Sequence, residues 1–145
     1  MYKQILIATD GSESSQRAIH HGVGLAQALH CHVTAISVCR PWSSVAVSEF
    51  GFAIAPGEYD RACKAAVERN LRAVKQAANS AAVSCNTIHV THPNPWQAII
   101  ETATTQGCDL IVMASHGRSG IAALLLGSET RKVLTHSKIP VLVHR

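Results

Sequence analysis

Short apolar runs alternate along the chain with longer segments whose apolar residues recur every three or four positions. The apolar runs occupy residues 5–9, 31–38, 87–91, 108–114 and 141–144, and the segments with helical periodicity occupy 12–29, 58–82, 94–107 and 128–136. Near-continuous apolar runs are typical of parallel strands buried on both faces. The pattern therefore predicts one α/β domain over residues 1–145. We expect an open parallel five-stranded sheet of Rossmann-like type, with helices on both faces and strand order 3-2-1-4-5.

Residues at the helix boundaries support this division. Ser12, Asn94 and Ser128 stand where a helix N-cap is needed, and proline follows Asn94 at the first helical position. Gly22 and Gly24 lie inside the first predicted helix, where each costs about 1 kcal/mol relative to alanine. We therefore expect the helix to pack closely against a neighbour at these two positions.

Three further stretches are interpreted from their sequence patterns. Residues 43–55 show no regular period and are interpreted either as a lid or as a contact surface for a partner. The run 87–91 is short and polar, which favours a sheet edge. The last strand, Val141 to His144, also ends the sheet in this interpretation, and its bare apolar edge favours pairing with a second copy of the chain.

Composition narrows the class of protein. Hydrophobic residues make up 47% and charged residues 15%, which excludes disorder, and aromatic residues make up only 4%, which indicates an aliphatic core. The net charge is +4, but it is not concentrated in a cluster with interleaved aromatic residues. The best basic group lies on one helix face and is interpreted as solvated; it comprises Arg61, Lys64, Arg72 and Lys75, interrupted by Glu68. No nucleic-acid partner is expected.

Cysteine usage and the apolar runs indicate the compartment. The five cysteines form no C-x-x-C motif, and their odd number argues against a disulfide framework, so several are expected to be small core residues. No targeting segment precedes Ile5, and the apolar runs are too short to cross a bilayer. We expect a cytoplasmic protein without a membrane partner.

Motifs for catalysis or metal binding are weak. Ser115 and His116 are sequence neighbours, whose side chains are expected to point apart, and no G-x-S-x-G motif is present. The dinucleotide pattern fails because Gln27 stands in place of its third glycine. Four histidines show no metal-ligand spacing with a carboxylate and are interpreted as surface or core residues: His30, His32, His89 and His92.

The stretch 110–128 has the composition of an anion site. An apolar strand is followed by a loop rich in glycine and serine and then by a helix start at Gly127-Ser128. Backbone N–H groups at a helix start lack partners and carry partial positive charge, so they favour phosphate. If this strand neighbours the first one at the switch point of the sheet, Asp10 and Ala114 border one crevice.

The spacing of these small residues resembles the nucleotide motif of the universal stress protein family, G-x2-G-x9-G-[ST]. Gly117, Gly127 and Ser128 match its last three positions, and Ala114 replaces its first glycine. A left-handed backbone at position 114 would be strained by alanine, whereas a requirement only for a small side chain near ribose would tolerate it. The resemblance covers the whole chain, from the first strand to Pro140-Val141-Leu142-Val143.

This resemblance implies a role for each matching residue. Asp10 would lie near ribose or near a phosphate-bound divalent ion, and Val38 would contact adenine. The remaining members would border ribose and phosphate or donate to phosphate: Ala114, Gly117, Gly127 and Ser128. Charge alone suggests that Arg118 contacts the terminal phosphate. Thr9, Ser115 and Glu129 flank these positions and complete the predicted nucleotide site.

The expected function is therefore that of a small stress-response module that binds ATP with Mg²⁺ or Mn²⁺. Protein-only metal ligands and catalytic residues are not predicted, and no positioned base suggests rapid hydrolysis. Two alternatives stay open, because the family also contains members that do not bind ATP: an interaction protein without nucleotide, and a slow ATP hydrolase. The resemblance also implies a homodimer formed through Val141–Val143.

Overall fold

The computed structural model describes residues 1–45, 54–117 and 126–145, and it consists of alternating strands and helices. The strands are β1 (Gln4–Ala8), β2 (His32–Cys39), β3 (Cys85–Thr91), β4 (Leu110–Ala114) and β5 (Val141–His144). The helices are α1 (Glu13–Leu29), α2 (Trp42–Val45), α3 (Pro56–Ser80), α4 (Pro95–Thr105) and α5 (Ser128–His136). Within the described residues no helix is long and apolar enough to cross a membrane.

All five strands belong to one parallel sheet of order β3-β2-β1-β4-β5, which confirms the predicted fold class. β1 lies at the centre and pairs with β2 on one side and with β4 on the other. The chain proceeds outward to β2 and β3 from one side of β1, and to β5 from β4. The switch point, at which the strand order reverses, therefore lies between the paired strands β1 and β4. Ligands of doubly wound sheets bind there, at the carboxyl ends of the strands.

Helices cover both faces of the sheet because successive side chains of each strand point to opposite sides. α1 and α3 pack on one face, against side chains that include Ile5, Ile7 and Val112. α4 and α5 pack on the other face, against Leu6 and Ile111 among others. These strand residues are at most 3% exposed, so the central strands are buried on both faces, as their continuous apolar runs predict.

The two glycines of α1 differ in their surroundings. A Cβ at Gly22 would lie 2.9 Å from Cδ1 of Ile7 and 3.2 Å from Cγ1 of Val112, so the helix packs directly on the sheet there. This confirms the predicted close approach at Gly22. A Cβ at Gly24 would meet nothing within 4 Å, so the same expectation is wrong at that position.

The helix starts agree only in part with the predicted caps. Ser12 is the N-cap of α1, and its hydroxyl accepts a hydrogen bond from the Ser15 N–H at 3.2 Å. Asn94 occupies the N-cap position of α4 without a capping side-chain bond. The prediction for Ser128 is wrong, because Gly127 is the N-cap of α5 and Ser128 is its first residue.

The connection from β2 to α3 is more ordered at its ends than predicted. Residues 42–45 form the short helix α2, and the Trp42 Nε1–H donates to the Ile54 carbonyl at 2.9 Å. The Tyr59 hydroxyl donates to the Arg40 carbonyl at 2.7 Å. Residues 46–53, which fall in the predicted lid or contact surface, lie outside the described part of the chain.

The cysteines are partly as expected. Cys31 and Cys108 are buried core residues, which confirms the prediction for them. Cys39 and Cys63 form a disulfide between β2 and α3, a pairing that the sequence argument against a disulfide framework did not foresee. The Cα atoms of this pair lie 6.2 Å apart, within the usual range for a disulfide.

Candidate functional site

The segment that follows β1 forms a polar turn into α1. Thr9 is buried, its N–H donates to the Ile36 carbonyl at 3.0 Å, and its hydroxyl hydrogen-bonds with that of Ser15 at 3.1 Å. Oδ1 of the half-buried Asp10 accepts the Ser12 N–H at 3.0 Å. This bond fixes the carboxylate at the entry to α1, as the turn chemistry of Asp-Gly predicts.

The side chain of Asn70 in α3 packs against this turn. Its amide nitrogen donates to the Ser37 hydroxyl at 3.2 Å, and both side chains are buried. Its amide also lies against Gly11, which has a φ of +80° and no room for a Cβ beside the Asn70 oxygen. Sequence reasoning missed Asn70, although a polar residue within the apolar stripe that contains Val67, Leu71 and Val74 is a signal that could have found it.

Ala114 ends β4 in ordinary extended conformation. The positive-φ residues other than glycine in the described part of the chain are His30 and Ala82, so alanine at position 114 causes no backbone strain. Ala114 is buried, and its carbonyl accepts a hydrogen bond from the Thr130 hydroxyl at 2.8 Å. Of the two explanations for this position, the need for a left-handed backbone is excluded.

Ser115 anchors the start of the loop to its end. Its carbonyl accepts the Gly127 N–H at 2.7 Å, and its own N–H donates to the His144 carbonyl at 2.8 Å. In this structure the Gly127 N–H closes the loop, so its predicted donation to phosphate stays a prediction and would require this bond to be replaced. A Cβ at Gly127 would lie 3.3 Å from the Ser115 oxygen, a tight contact that shows how closely the two ends of the loop pack.

The hydroxyl of Ser115 lies 2.9 Å from Nδ1 of His116. The expectation that these neighbouring side chains point apart is thus wrong. Ser115 is only 2% exposed, however, and a nucleophile so deeply buried does not reach a substrate. The pair stabilises the turn after β4 and does not make a catalytic dyad.

Gly117 brings the loop after β4 to the loop after β1. A Cβ at position 117 would lie only 2.6 Å from Oδ2 of Asp10, so the glycine backbone packs directly against the carboxylate. Gly117 is itself exposed and its φ is not positive. A side chain at position 117 would have to displace the Asp10 carboxylate, and the two predicted loops do border one crevice at the switch point.

The first turn of α5 offers backbone donors near this crevice. The first intrahelical bond of α5 runs from the Arg131 N–H to the Gly127 carbonyl at 3.0 Å. The N–H groups of Ser128 to Thr130 precede it and have no acceptor within the helix. The helix dipole adds partial positive charge at the same end, so this turn suits an anion.

Glu129 has a structural task in this turn. Its carboxylate accepts the Trp96 N–H at 2.9 Å and so satisfies a donor in the first turn of α4, where Asn94 makes no cap bond. It also pairs with Lys132 at 3.4 Å and with Arg40 at 3.8 Å. These contacts turn the Glu129 carboxylate toward α4, so only its backbone N–H is left facing the predicted nucleotide site, and its assignment to the nucleotide stays a prediction.

Val38 lies apart from the polar turn, and Arg118 cannot be placed relative to it. Val38 is half-buried near the end of β2, on the face of the sheet that packs against α4 and α5. An apolar side chain there is consistent with a contact to a flat ring. Arg118 falls outside the described residues.

Two further observations concern possible metal ligands and a cavity. The described residues contain no group of three or more His, Cys, Asp or Glu side chains placed to hold a metal ion. A cavity of about 560 Å³ lies between α1 and α3, and its lining includes Gln16, Gly24 and Gln76. None of the predicted site residues within the described part of the chain lines it, so it is separate from the polar turn described above.

Comparison with known proteins decides the family. Residues 1–145 match the family model described as the universal stress protein family. The chain belongs to this family. Universal stress protein MJ0531 of Methanocaldococcus jannaschii is 34% identical over 146 aligned residues, which span 99% of this chain and 82% of the relative.

Solved structures support the same assignment. The structure of MJ0577, from the same organism, superposes with a TM-score of 0.80 at 28% identity and covers 99% of this chain and 96% of that chain. A second universal stress protein, described as a complex with cAMP, has a TM-score of 0.73 at 29% identity and covers 99% and 97%. The family assignment from Gly117, Gly127 and Ser128 is thereby confirmed.

Proposed function

We propose that this universal stress protein binds ATP at the carboxyl edge of β1 and β4. The observation that carries the proposal is the contact between Gly117 and the Asp10 carboxylate, which joins the two loops at the switch point. The unstrained backbone at Ala114 supports it, since the departure from the family motif leaves the end of β4 in regular geometry.

A relative supports the ligand class. The universal stress protein described as a complex with cAMP is 29% identical to this chain. cAMP shares adenine, ribose and a phosphate with ATP, so a common site for these groups is a reasonable inference. Val38 would then face adenine from β2, and Ala114 and Gly117 would border ribose and phosphate.

The proposed phosphate donors keep the predicted Ser128 and replace the Gly127 N–H. With the Gly127 N–H committed to Ser115, we assign phosphate binding to the backbone N–H groups of the first turn of α5 and to the Ser128 hydroxyl. Arg118 would add a charged contact to the terminal phosphate. The Glu129 carboxylate would act indirectly by holding α4 and α5 together.

The divalent ion fits only as a partner of the nucleotide. Asp10 is the acid at the junction of the two loops, and the described residues supply no three-acid metal site. Mg²⁺ is commonly held by one or two carboxylates together with substrate phosphates. We therefore assign Asp10 to a phosphate-bound Mg²⁺ or Mn²⁺, which neutralises phosphate charge.

Nucleotide is proposed as a ligand and not as a rapidly consumed substrate. The Ser115 hydroxyl is buried and hydrogen-bonded to the half-buried His116, so it is not placed to attack a substrate. ATP would stabilise the folded chain and alter the surface around the crevice. A slow hydrolase would be recognised by multiple turnovers that disappear in Asp10→Asn.

Calorimetric titration with ATP and Mg²⁺ tests the proposal. We expect saturable binding of one nucleotide per chain. At ATP concentrations of about 100 times Kd the ligand adds about 2.7 kcal/mol of stability, which corresponds to a rise in Tm of about 5–10 °C. Absence of both binding heat and a Tm shift at millimolar ATP would instead favour an interaction protein without nucleotide.

A homodimer through β5 is the second part of the proposal. All four residues of this edge strand are half-exposed in the isolated chain. The Pro140 carbonyl accepts the N–H of Ile111 in β4, and the His144 carbonyl accepts the N–H of Ser115, directly after β4. Because backbone groups alternate along a strand, those of Val141 and Val143 point away from β4 and are placed to pair with a second copy.

Proline at position 143 should therefore separate the dimer while sparing the sheet. Val143→Pro removes an outward N–H, and edge strands tolerate proline at such positions. Val143→Thr keeps the N–H and the branched side chain and serves as the matched control. We expect light scattering at micromolar concentration to give a dimeric mass for the parent and for Val143→Thr, and a monomeric mass for Val143→Pro. A monomeric parent would contradict the dimer.

A further inference from the structure

Two cysteines far apart in the sequence meet beside the candidate site. Cys39 is the last residue of β2 and is buried, whereas Cys63 lies in α3 and is partly exposed. Their sulfur atoms are bonded across the strand–helix contact, and 24 positions separate them in the chain. Neither residue belongs to the predicted nucleotide site.

We propose that Cys39 and Cys63 form a reversible thiol–disulfide site that reacts with small-molecule disulfides. Below, these two residues are called the thiol pair. The partly exposed Cys63 is the point of entry, and the buried Cys39 resolves the mixed disulfide. One partly exposed and one buried cysteine at disulfide distance provide the two roles that exchange through a mixed disulfide requires.

The other three cysteines are poor competitors for this reaction. Burial raises the pKa of the Cys31 thiol, and it raises that of Cys108 to about 11. Burial also raises the pKa of Cys85 on β3. Because the thiolate is the attacking species, these three cysteines stay mostly protonated near neutral pH. Cys39 and Cys63 are bonded to each other and the other three cysteines are not paired, so geometry directs the reaction to the thiol pair.

The reaction balances without a further reagent. The Cys63 thiolate attacks one sulfur of a small-molecule disulfide RSSR, forms Cys63–S–S–R and releases one thiolate RS⁻. The Cys39 thiolate then attacks the Cys63 sulfur and releases the second RS⁻. The two protons lost by the cysteines end on the two released thiols, so the pair is oxidised by two electrons and RSSR is reduced to two RSH.

The disulfide adds a covalent bond to a connection that side-chain hydrogen bonds already hold. The Tyr59 hydroxyl holds the Arg40 carbonyl, and the Trp42 indole holds the Ile54 carbonyl, in the same connection between β2 and α3. Arg40 also pairs with Glu129 in the first turn of α5. Oxidation of the thiol pair therefore fixes the chain next to Arg40, whose side chain reaches the edge of the candidate site.

Thiol mapping on the full chain tests this inference. The protein is equilibrated with mixtures of reduced and oxidised glutathione, alkylated after unfolding, digested and measured by mass spectrometry. Under oxidising mixtures we expect three of the five cysteines to be alkylated and a peptide pair linked through Cys39 and Cys63. Under reducing mixtures we expect all five to be alkylated, with one transition between the two states.

Thermal unfolding provides the second measurement. Closing a loop of this length restricts the unfolded chain, so reduction should lower Tm by about 5–10 °C. Cys63→Ser should show no difference in Tm between oxidising and reducing mixtures. Cys85→Ser, which removes a cysteine outside the thiol pair, should keep the full difference.

Three results would overturn the inference. Complete alkylation of all five cysteines in the most oxidising mixture would show that the bond does not form, and a link between any other two cysteines would show that it forms elsewhere. An unchanged redox dependence of Tm in Cys63→Ser would remove the thiol pair as its cause. These readouts involve no nucleotide, so they stand or fall independently of ATP binding.

Discussion

Gly117→Val is expected to lower ATP affinity by about 10- to 100-fold. A Cβ at this position would lie 2.6 Å from Oδ2 of Asp10, well inside van der Waals contact. Either the loop after β4 moves away from β1 or the carboxylate rotates out of its place, and both changes disrupt the crevice. Overpacking of this kind costs about 1–3 kcal/mol, and each 1.4 kcal/mol lost from binding is tenfold in Kd.

The control for this experiment is the same substitution in open surroundings. Gly24→Val adds an identical side chain where a Cβ would meet nothing within 4 Å, and this position lies in α1 away from the switch point. We expect its ATP affinity, measured by calorimetry, to match that of the parent. Parental affinity in Gly117→Val would place the nucleotide elsewhere on the protein.

The largest loss of stability at the site is expected from Gly11→Ala. The φ of +80° strains any residue with a side chain, and the added Cβ would collide with the amide of Asn70. Displacing Asn70 leaves its amide and the buried Ser37 hydroxyl without their shared bond. The strain of about 1–2 kcal/mol and the unsatisfied polar groups, at about 1–3 kcal/mol, together predict a loss of about 2–5 kcal/mol.

Gly107→Ala separates backbone strain from the collision with Asn70 as causes of the lost stability. Gly107 has a similar φ of +67°, but a Cβ there would meet nothing within 4 Å, so only backbone strain applies. We expect its loss in the free energy of unfolding, measured by urea denaturation, to be about 1–2 kcal/mol. Equal losses in Gly11→Ala and Gly107→Ala would show that Asn70 does not support the turn after β1.

The fold could be predicted because local pattern and global architecture agree. Continuous apolar runs can be buried only if helices cover both faces, and alternation with helices leads to a parallel sheet. The polar third strand and the chain-terminal fifth strand do lie at the two edges. The N-cap at Ser12 was also predictable, since its signal lies within a few residues.

The contacts within the site depend on distant residues and were less predictable. Asn70 reaches Gly11 and Ser37 from α3, and no local pattern reports such a contact. The Gly127 N–H was predicted as a phosphate donor because helix starts favour anions. In the structure it donates instead to the Ser115 carbonyl of the same loop. A motif therefore locates a site without settling which donors remain available.

Two other differences have the same origin. Cys39 and Cys63 meet only because α3 packs across the end of β2, a contact that cysteine spacing cannot reveal. Glu129 was assigned to the nucleotide from its place beside Ser128, yet its carboxylate bonds to the Trp96 N–H of another helix. In both cases packing between elements decides the role of the side chain.

Two-dimensional amide NMR during titration with ATP and Mg²⁺ tests the location of the proposed site most directly. We expect the largest shift changes in three segments that meet at the switch point: residues 10–12, 115–117 and 128–130. Unchanged signals in these segments would contradict the proposed location. Changes confined to the cavity between α1 and α3, at residues such as Gln16 and Gln76, would contradict it equally and would move the nucleotide to that cavity.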